Sequence, residues 1–245
     1  MDVPDILIER LKNAQYVAVL TGAGVSAESG IKTFRDPDGL WAKLNPAELA
    51  SVDGFMANPQ MVWEWYQHRR EIIHSSKPNP GHYAMAEMQK LFPKFTLITQ
   101  NVDRLHQQAG STNVVELHGN IIENHCFNCS KPYIEEVNVS DSKLPACTYC
   151  NGRIRPSVVW FGEMLPEDAI EQAQDTAENC DLFFCAGTSA EVYPAANIPI
   201  LAKQSGAFVV EVNPNDTVLS NYVDLKLAYP SGVAFPAIVE KLKQL

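Results

Sequence analysis

The stretch YVAVLTGAGVSAESG, residues 16–30, decides the fold of this chain. Its first five residues are rich in β-forming side chains, and a glycine-rich turn with Gly22 and Gly24 follows directly. A strand that ends in such a turn and leads into a helix predicts the first unit of an α/β fold, where backbone amides can approach a pyrophosphate closely. Ordinary strand–helix joints use the same turn, so the motif alone leaves the function open.

Outside this stretch, strand-like and helix-like patterns alternate along the chain. The predicted strands cover residues 16–20, 95–99, 113–117, 181–185, 207–212 and 223–228, and the predicted helices cover residues 4–14, 58–74, 81–92, 167–179, 195–204 and 233–245. Strands separated by helices need crossover connections, which predict a mostly parallel sheet with both faces covered. We therefore expect an α/β fold.

The composition is that of a folded globular chain. Of 245 residues, 46% are hydrophobic and 20% are charged, and no apolar run reaches the roughly 18 residues that a membrane helix needs. The net charge of −10 repels phosphate backbones, which argues against general nucleic-acid binding. Residues 1–10 lack the basic start and apolar core of a secretory signal, so we expect a cytoplasmic protein with no membrane partner.

Two segments interrupt the α/β rhythm. Residues 120–154 are rich in cysteine and polar side chains, and we interpret them as a small inserted module. Residues 36–79 are predicted to form a second, mostly helical insertion. The large domain would then be built from residues 1–35, 80–119 and 155–245.

Four cysteines in the first of these modules predict a metal site. Cys126 and Cys129 form one Cys-x-x-Cys pair, Cys147 and Cys150 form a second, and 17 residues lie between the pairs. This spacing fits a four-thiolate zinc site, whereas the alternative is a set of unpaired buried thiols. Because the protein would fill all four positions, we expect one structural zinc ion.

Polar residues follow several of the predicted strands directly. They are Gln100, Asn101 and Asp103 after residues 95–99, His118 after residues 113–117, Gly187, Thr188 and Ser189 after residues 181–185, and Asn213 and Asn215 after residues 207–212. Each is ordinary as a turn or helix cap, but α/β folds gather ligands at the carboxyl ends of their strands. His118 is a candidate general base because histidine titrates near neutral pH, although a structural histidine is the alternative.

Several segments in register resemble the sirtuins, the family of NAD-dependent protein-lysine deacylases. They are GAGVSAESGIKTFR at 22–35, TQNVDRLHQQAG at 99–110, LHG at 117–119, VVWFGE at 158–163, GTS at 187–189, VNPN at 212–215 and the two cysteine pairs. The resemblance implies a Rossmann-like NAD-binding domain with a small zinc module, and NAD in the cleft between them. NAD would be consumed as a co-substrate.

The resemblance also implies roles for individual residues. The NAD-binding set would be Gly22, Ala23, Gly24, Glu28, Phe34, Arg35, Gln100, Asn101, Asp103, Gly187, Thr188, Ser189, Asn213, Asn215 and Ser231. His118 and Asn101 would be catalytic: the acyl oxygen attacks the ribose carbon as nicotinamide leaves, and His118 then activates a ribose hydroxyl. The products would be lysine, nicotinamide and 2′-O-acyl-ADP-ribose.

The acylated lysine of a protein or peptide would be the second substrate. Val159, Phe161 and Gly162 would pair with the peptide backbone, although a buried strand running into a turn is the alternative. Tyr66 and Arg69 share one face of a predicted helix and, by composition alone, look like a surface pair. Tyr-x-x-Arg resembles the signature of class III sirtuins, which remove succinyl, malonyl and glutaryl groups, and Ala50 stands where that class keeps a small residue.

Two parts of the sequence depart from the family pattern. Lys32 replaces the family's usual proline, and residues 231–234 lack its usual small-residue pattern, so whether Ser231 contacts NAD stays open.

Three other functions are alternatives. A mono-ADP-ribosyltransferase would use the same NAD site, whereas a zinc-ribbon transcription factor would need only the cysteines. A hydride-transferring dehydrogenase is disfavoured because residues 34–37 replace the expected acidic strand end. We expect a monomer.

Overall fold

The computed structural model describes residues 1–32, 46–135 and 143–244. The strands are β1 (Tyr16–Thr21), β2 (Lys94–Thr99), β3 (Val115–Glu116), β4 (Gly119–Cys126), β5 (Pro132–Tyr133), β6 (Ile154–Val158), β7 (Leu182–Ala186), β8 (Phe208–Val212) and β9 (Leu225–Leu227). The helices are α1 (Asp5–Asn13), α2 (Ala23–Ala27), α3 (Pro46–Leu49), α4 (Val52–Ala57), α5 (Pro59–Ser75), α6 (Pro80–Leu91), α7 (Leu105–Gln108), α8 (Glu167–Asn179), α9 (Ile198–Gln204) and α10 (Ser231–Leu242).

A parallel sheet with the strand order β3-β2-β1-β7-β8-β9 forms the large domain, as the sequence predicts. β1 is buried along its whole length and lies between β2 and β7, so that Thr21 pairs with Thr99 on one side and with Ala186 on the other. From β1, the strands β2 and β3 are added on one side of the sheet, and β7, β8 and β9 are added later on the other side. The direction of strand addition therefore reverses between β1 and β7, and α/β folds bind their ligands at such a switch point.

Helices cover both faces of this sheet because side chains of β1 alternate between two cores. Val17 and Val19 pack with α1, α6 and α10 on one face, and Ala18 and Leu20 pack with α8 and α9 on the other. The burial of both faces explains why the strands contain nearly continuous apolar runs. No helix in the described ranges is long and apolar enough to span a membrane.

The second part of the molecule combines α3, α4 and α5 with an antiparallel sheet in the order β5-β4-β6. Trp63 on α5 is fully buried with Cys126, Cys147 and Ile154 of the cysteine module. Arg70 on the same helix donates to the Ile121 carbonyl at 2.6 Å and to Asn124 Oδ1 at 2.6 Å. These contacts join the helical segment to the cysteine module.

The structure differs from the sequence prediction at a few element ends. β3 has only two residues instead of the predicted 113–117, because Asn113 adopts a positive φ of 54° and only Val115 and Glu116 pair with β2. The predicted helix at 195–204 begins as a 3-10 turn, Ala195–Asn197, and becomes α-helical at Ile198. The last helix starts two residues before the predicted Val233, directly after Pro230.

Candidate active site at the sheet edge

The loops that follow β1 and β7 touch each other through their backbones. Gly22 N donates to the Ala186 carbonyl at 2.9 Å, and Gly24 N donates to the Gly187 carbonyl at 2.8 Å. A Cβ atom on Gly24 would lie 2.8 Å from the Gly187 oxygen, and Gly187 itself has a φ of +59°. Glycine is therefore needed in this turn because a neighbouring loop approaches its backbone closely. The sequence alone did not reveal this reason.

Residues after β2 join this contact. Asn101 Nδ2 donates to the Gly22 carbonyl at 3.0 Å, and Ser26 Oγ donates to Asp103 Oδ2 at 2.7 Å. Burial raises the pKa of Asp103, while hydrogen bonds from Leu105 N and Ser26, and the charge of Arg69, oppose that increase. The predicted residues Asn101 and Asp103 are thus held against the glycine-rich turn.

Sequence reasoning missed four buried residues in this polar cluster. Thr21 Oγ1 lies 2.9 Å from His106 Nε2, and Ser26 Oγ lies 3.5 Å from His82 Nε2. Burial lowers the pKa of His82 to about 4, so His82 is neutral at physiological pH. The available signals were Ser26 inside the quoted turn and the spacing of Asn79 and His82, which form a capping box at the start of α6.

The loops after β7 and β8 are also joined to the loop after β2. Gln100 Nε2 donates to Thr188 Oγ1 at 3.1 Å, and Asn213 Nδ2 donates to the Thr188 carbonyl at 3.1 Å. Asn213 Oδ1 in turn accepts from Asn215 N at 3.1 Å. We call the loops at residues 21–26, 100–104, 187–189 and 213–215 the sheet edge. Ala23 and Ser189 are half-buried members of it.

His118 lies beside the sheet edge and is half-buried. Its Nδ1 is 3.1 Å from the Gln100 carbonyl, which can only accept, so Nδ1 carries the proton and Nε2 is left as a base. Burial lowers the pKa of His118, and the hydrogen bond to Gln100 partly opposes that shift. The neutral imidazole is therefore the main form at neutral pH.

The segment after β6 connects His118 to the helical insertion. Val159 N donates to the His118 carbonyl at 3.0 Å, and Phe161 N donates to the Ala50 carbonyl at 2.8 Å. The Phe161 side chain is 54% exposed, and Gly162 has a φ of +88° with open space around it. Phe161 and Gly162 are therefore accessible, at the far end of a segment that begins beside His118.

Tyr66 and Arg69 are both buried, with exposures of 3% and 7%. The interpretation as a surface pair, based on composition alone, is therefore wrong: the helix face that carries them is covered by a core that includes Ala50 and Trp160. The Arg69 guanidinium lies 5.1 Å from the centre of the Trp65 ring. Burial lowers the pKa of Arg69, and the nearby Tyr66 and Asp103 oppose this shift. We call Ala50, Tyr66 and Arg69 the acyl pocket, after the role that the family resemblance predicts for them.

Some predicted NAD-binding residues lie apart from the sheet edge or outside the described residues. Glu28 Oε2 accepts from Gly232 N at 2.7 Å, which caps the start of α10, so its contact with NAD stays a prediction. Ser231 is the first residue of that helix and is buried. Phe34 and Arg35 fall within residues 33–45, which are outside the described residues.

The four predicted cysteines form one cluster. Cys126 Sγ lies 3.5 Å from Cys150 Sγ, Cys129 Sγ lies 3.8 Å from Cys147 Sγ, and all four sulfur atoms lie within 4.8 Å of one another. Tetrahedral zinc with Zn–S bonds of about 2.3 Å places its ligands about 3.8 Å apart, so this geometry fits one zinc ion. Cys180 and Cys185 lie elsewhere, buried in the large domain core.

The two cysteine pairs have the same backbone design. Cys126 N donates to the Lys131 carbonyl at 2.9 Å, and Cys147 N donates to the Gly152 carbonyl at 2.7 Å. The fourth residue after the first cysteine of each pair, Ser130 in one and Asn151 in the other, has a φ of 57°. This repetition indicates two matching metal-binding turns, and a closed four-cysteine site makes the zinc structural.

The sheet edge places backbone amides, amide side chains and hydroxyls at the switch point of the sheet, which is where α/β folds bind dinucleotides. Comparison with known proteins agrees with this geometry. The sequence profile of the Sir2 family matches residues 22–194. NAD-dependent protein deacylase 1 of Caldanaerobacter subterraneus subsp. tengcongensis is 51% identical over 90% of this chain and 91% of its own length.

Solved structures agree over the whole fold. A Sir2 homolog in complex with NAD superposes with a TM-score of 0.92 at 41% identity, covering 99% of this chain and 95% of that one. A Sir2 in complex with a p53 peptide and NAD+ gives a TM-score of 0.86 at 32% identity over 100% of both chains. The chain therefore belongs to the Sir2 family, whose sequence motifs it carries around a sheet edge, a histidine and a four-cysteine cluster.

Proposed function

We propose that this chain, which is an NAD-dependent protein deacylase of the Sir2 family, prefers lysines with acidic acyl groups, succinyl and malonyl, over acetyl-lysine. The observation that carries the acyl preference is the burial of Tyr66 and Arg69 side by side, with Arg69 close enough to Asp103 to influence its titration. A buried guanidinium next to the sheet edge suits a carboxylate at the far end of an acyl chain.

The sheet edge would hold NAD. The half-buried Gly187, Thr188, Ser189 and Asn213 would hold the adenosine half, and Gln100, Asn101 and Asp103 would surround nicotinamide and its ribose. When bound, NAD supplies an electrophilic ribose carbon that the acyl oxygen can capture as nicotinamide leaves. The chain's own contribution is to hold the loops in place through the contacts described above.

His118 would act as the general base. The Gln100 carbonyl fixes its tautomer, so Nε2 can accept the proton of a ribose hydroxyl. The oxygen of that hydroxyl would then bond to the acyl carbon, the bond from this carbon to the lysine nitrogen would break, and one water molecule would be consumed, giving free lysine and 2′-O-acyl-ADP-ribose. Asn101, fixed by the Gly22 carbonyl and Ser26, would orient the reacting ribose.

The peptide would bind along residues 159–162. This segment leads away from the His118 carbonyl and reaches the Ala50 carbonyl, so a peptide paired with it would place its lysine between the base and the acyl pocket. Ala50 has a small side chain, so it takes up less of the pocket than a larger residue would, which favours an acyl group that is longer than acetyl. Zinc would hold the cysteine module, from which β6 leads into this segment.

The test compares Arg69→Met with Arg70→Met on succinyl-lysine and acetyl-lysine versions of one peptide. Both arginines are buried on α5, but Arg70 contacts Ile121 and Asn124 of the cysteine module instead of the acyl pocket. Loss of a charge-assisted contact predicts that Arg69→Met lowers desuccinylation at least tenfold and spares deacetylation. Arg70→Met is expected to leave the ratio of the two activities unchanged.

The products are identified by mass. Nicotinamide, free lysine peptide and acyl-ADP-ribose in equal amounts are expected for a deacylase. Equal loss of both activities in Arg69→Met would reject the acidic-acyl preference, and ADP-ribose attached to protein without loss of the acyl group would reject deacylation itself.

A further inference from the structure

We propose that Arg155 and Glu163 are positioning residues for acyl selectivity: through Trp160 they aim the Tyr66 hydroxyl at the carboxylate of an acidic acyl group. None of the three touches the reacting atoms. The proposal rests on the proposed function, because only an acidic acyl group offers that carboxylate.

Arg155 and Glu163 form a two-point ion pair. Arg155 Nη1 lies 2.5 Å from Glu163 Oε1, and Nη2 lies 2.9 Å from Glu163 Oε2 and 2.8 Å from the Val158 carbonyl oxygen. The Arg155 side chain is only 5% exposed and that of Glu163 27%, so solvent screens this pair weakly. The charge of Arg155 and the hydrogen bonds to Glu163 lower the pKa of the Glu163 carboxyl against the effect of burial.

This pair fixes both the backbone and the ring of Trp160. Glu163 Oε2 accepts from Trp160 N at 2.8 Å, and the Arg155 guanidinium carbon lies 3.3 Å from the centre of the Trp160 ring system. Trp160 is 2% exposed and packs on Phe55 at a centroid distance of 5.2 Å. The indole therefore has little freedom to turn.

The indole N–H of Trp160 donates to the Tyr66 hydroxyl at 2.9 Å. Since an indole nitrogen can only donate, the Tyr66 oxygen accepts this bond and its own hydrogen is directed elsewhere. The described residues give that hydrogen no acceptor. Burial raises the pKa of Tyr66 to about 12, so the hydroxyl keeps its hydrogen at neutral pH. A carboxylate in the acyl pocket can accept a hydrogen bond from this hydroxyl, whereas an acetyl group ends in a methyl group, which cannot.

Trp63 provides a matched control within the same chain. It is fully buried, and an arginine also lies over its ring: the Arg70 guanidinium carbon is 5.0 Å from the ring centre, compared with 3.3 Å for Arg155 and Trp160. Its Nε1 has no acceptor among the described residues. Replacing Trp63 with Phe thus removes the same atoms at similar burial without changing a hydrogen bond to Tyr66.

The experiment measures kcat/KM for succinyl-lysine and acetyl-lysine forms of one peptide with Trp160→Phe, Glu163→Gln and Trp63→Phe. We expect Trp160→Phe to lower the succinyl-to-acetyl ratio about tenfold, which is the effect of one lost charge-assisted hydrogen bond. Glu163→Gln should lower the ratio in the same direction, and Trp63→Phe should leave it unchanged. In a Tyr66→Phe background, Trp160→Phe should have no further effect on the ratio.

The outcomes separate this inference from the proposed function. A wild-type enzyme that prefers succinyl, with an unchanged ratio in both Trp160→Phe and Glu163→Gln, overturns the positioning role alone. Equal losses on both substrates would assign Trp160 and Glu163 a purely structural role and overturn it as well. A wild-type enzyme without a succinyl preference overturns the proposed function and this inference together. If Trp160→Phe fails to fold, the succinyl-to-acetyl ratio of Glu163→Gln decides: a lowered ratio supports the positioning role, and an unchanged ratio overturns it.

Discussion

The sheet edge and the acyl pocket are neighbours, but they are assembled in opposite ways. At the sheet edge, loops that directly follow strands touch through backbone atoms, as Gly24 and Gly187 do at 2.8 Å. At the acyl pocket, side chains are held by contacts with distant segments, as Tyr66 is by Trp160, 94 positions further along the chain. The first region is fixed by the sheet itself, and the second depends on a few side-chain contacts.

This difference predicts two kinds of mutational effect. Changes at the sheet edge should affect every acyl substrate equally, because they alter the common reaction or the fold. Changes in the acyl pocket should alter the choice of acyl group and spare the common reaction. Arg69 of the acyl pocket and Asp103 of the sheet edge interact electrostatically, so the two regions adjoin there.

The largest expected effect comes from replacing His118 with Asn, which keeps a polar side chain but removes the base. We expect kcat to fall about 10²- to 10⁴-fold, the usual contribution of a general base, on succinyl and acetyl substrates alike. Steady-state kinetics on both peptides measures this. A loss confined to one acyl group would break the distinction between the two regions.

The pH profile sharpens this prediction. Burial lowers the pKa of His118 below its ordinary value of 6.5, and the neutral form is the base. Activity of the wild type should therefore hold from neutral pH into the alkaline range and decrease only when acidification passes the lowered pKa. The acidic decrease should be absent from the residual activity of His118→Asn, and its persistence there would point to another group.

The next effect tests the backbone contact at the sheet edge. A Cβ atom at position 24 would meet the Gly187 carbonyl oxygen at 2.8 Å, and a backbone atom cannot move aside easily. Gly24→Ala should therefore lower the free energy of unfolding by about 3 kcal/mol and reduce kcat/KM for NAD by up to about 100-fold with either acyl peptide.

Gly232→Ala is the matched control for this substitution. Its added Cβ would meet Glu28 Oε1 at the same 2.8 Å, but that oxygen is the far end of a flexible side chain. Denaturant unfolding and NAD titrations should detect a much smaller change. Equal losses of stability and of NAD binding in the two variants would show that the contact with the Gly187 backbone is not the cause of the Gly24→Ala effect.

The two regions also differ in how well the sequence predicts them, because one is built from loops that follow strands and the other from contacts between distant segments. The residues of the sheet edge stand directly after strands, so local patterns locate them: Asn101, Asp103 and Thr188 all proved to lie together. The cysteine cluster was equally predictable because its ligands are set by short spacings. In both cases, a few neighbouring positions in the chain carry the information.

The acyl pocket could not be predicted in this way. The local sequence QHRR around Arg69 looks exposed, and its burial results from packing against a core that includes Trp160 and Ala50. Tertiary contacts of this kind leave no local periodic signal. The family resemblance identified the pair Tyr66 and Arg69, but it gave no role to Arg155.

A smaller effect is expected in the acyl pocket. Tyr66→Phe removes the hydroxyl and leaves the ring, which packs edge-on against Trp65 at a centroid distance of 4.6 Å. Loss of one hydrogen bond to a carboxylate, about 1.5 kcal/mol, should reduce kcat/KM for the succinyl peptide about tenfold. Deacetylation is the internal control and should change little. Equal reductions would mean that Tyr66 supports the fold of the site as a whole.

The smallest effect concerns Glu28, for which sequence and structure suggest different roles. The family resemblance assigns it to NAD, whereas its carboxylate caps α10 by accepting from Gly232 N at 2.7 Å. Glu28→Gln keeps an acceptor but removes the negative charge at a helix N-terminus, so we expect a loss of stability of about 0.5 kcal/mol. The KM for NAD should stay unchanged, because the carboxylate is already engaged by the helix. A raised KM at unchanged thermal stability would instead place Glu28 at the sheet edge and enlarge that region by one residue.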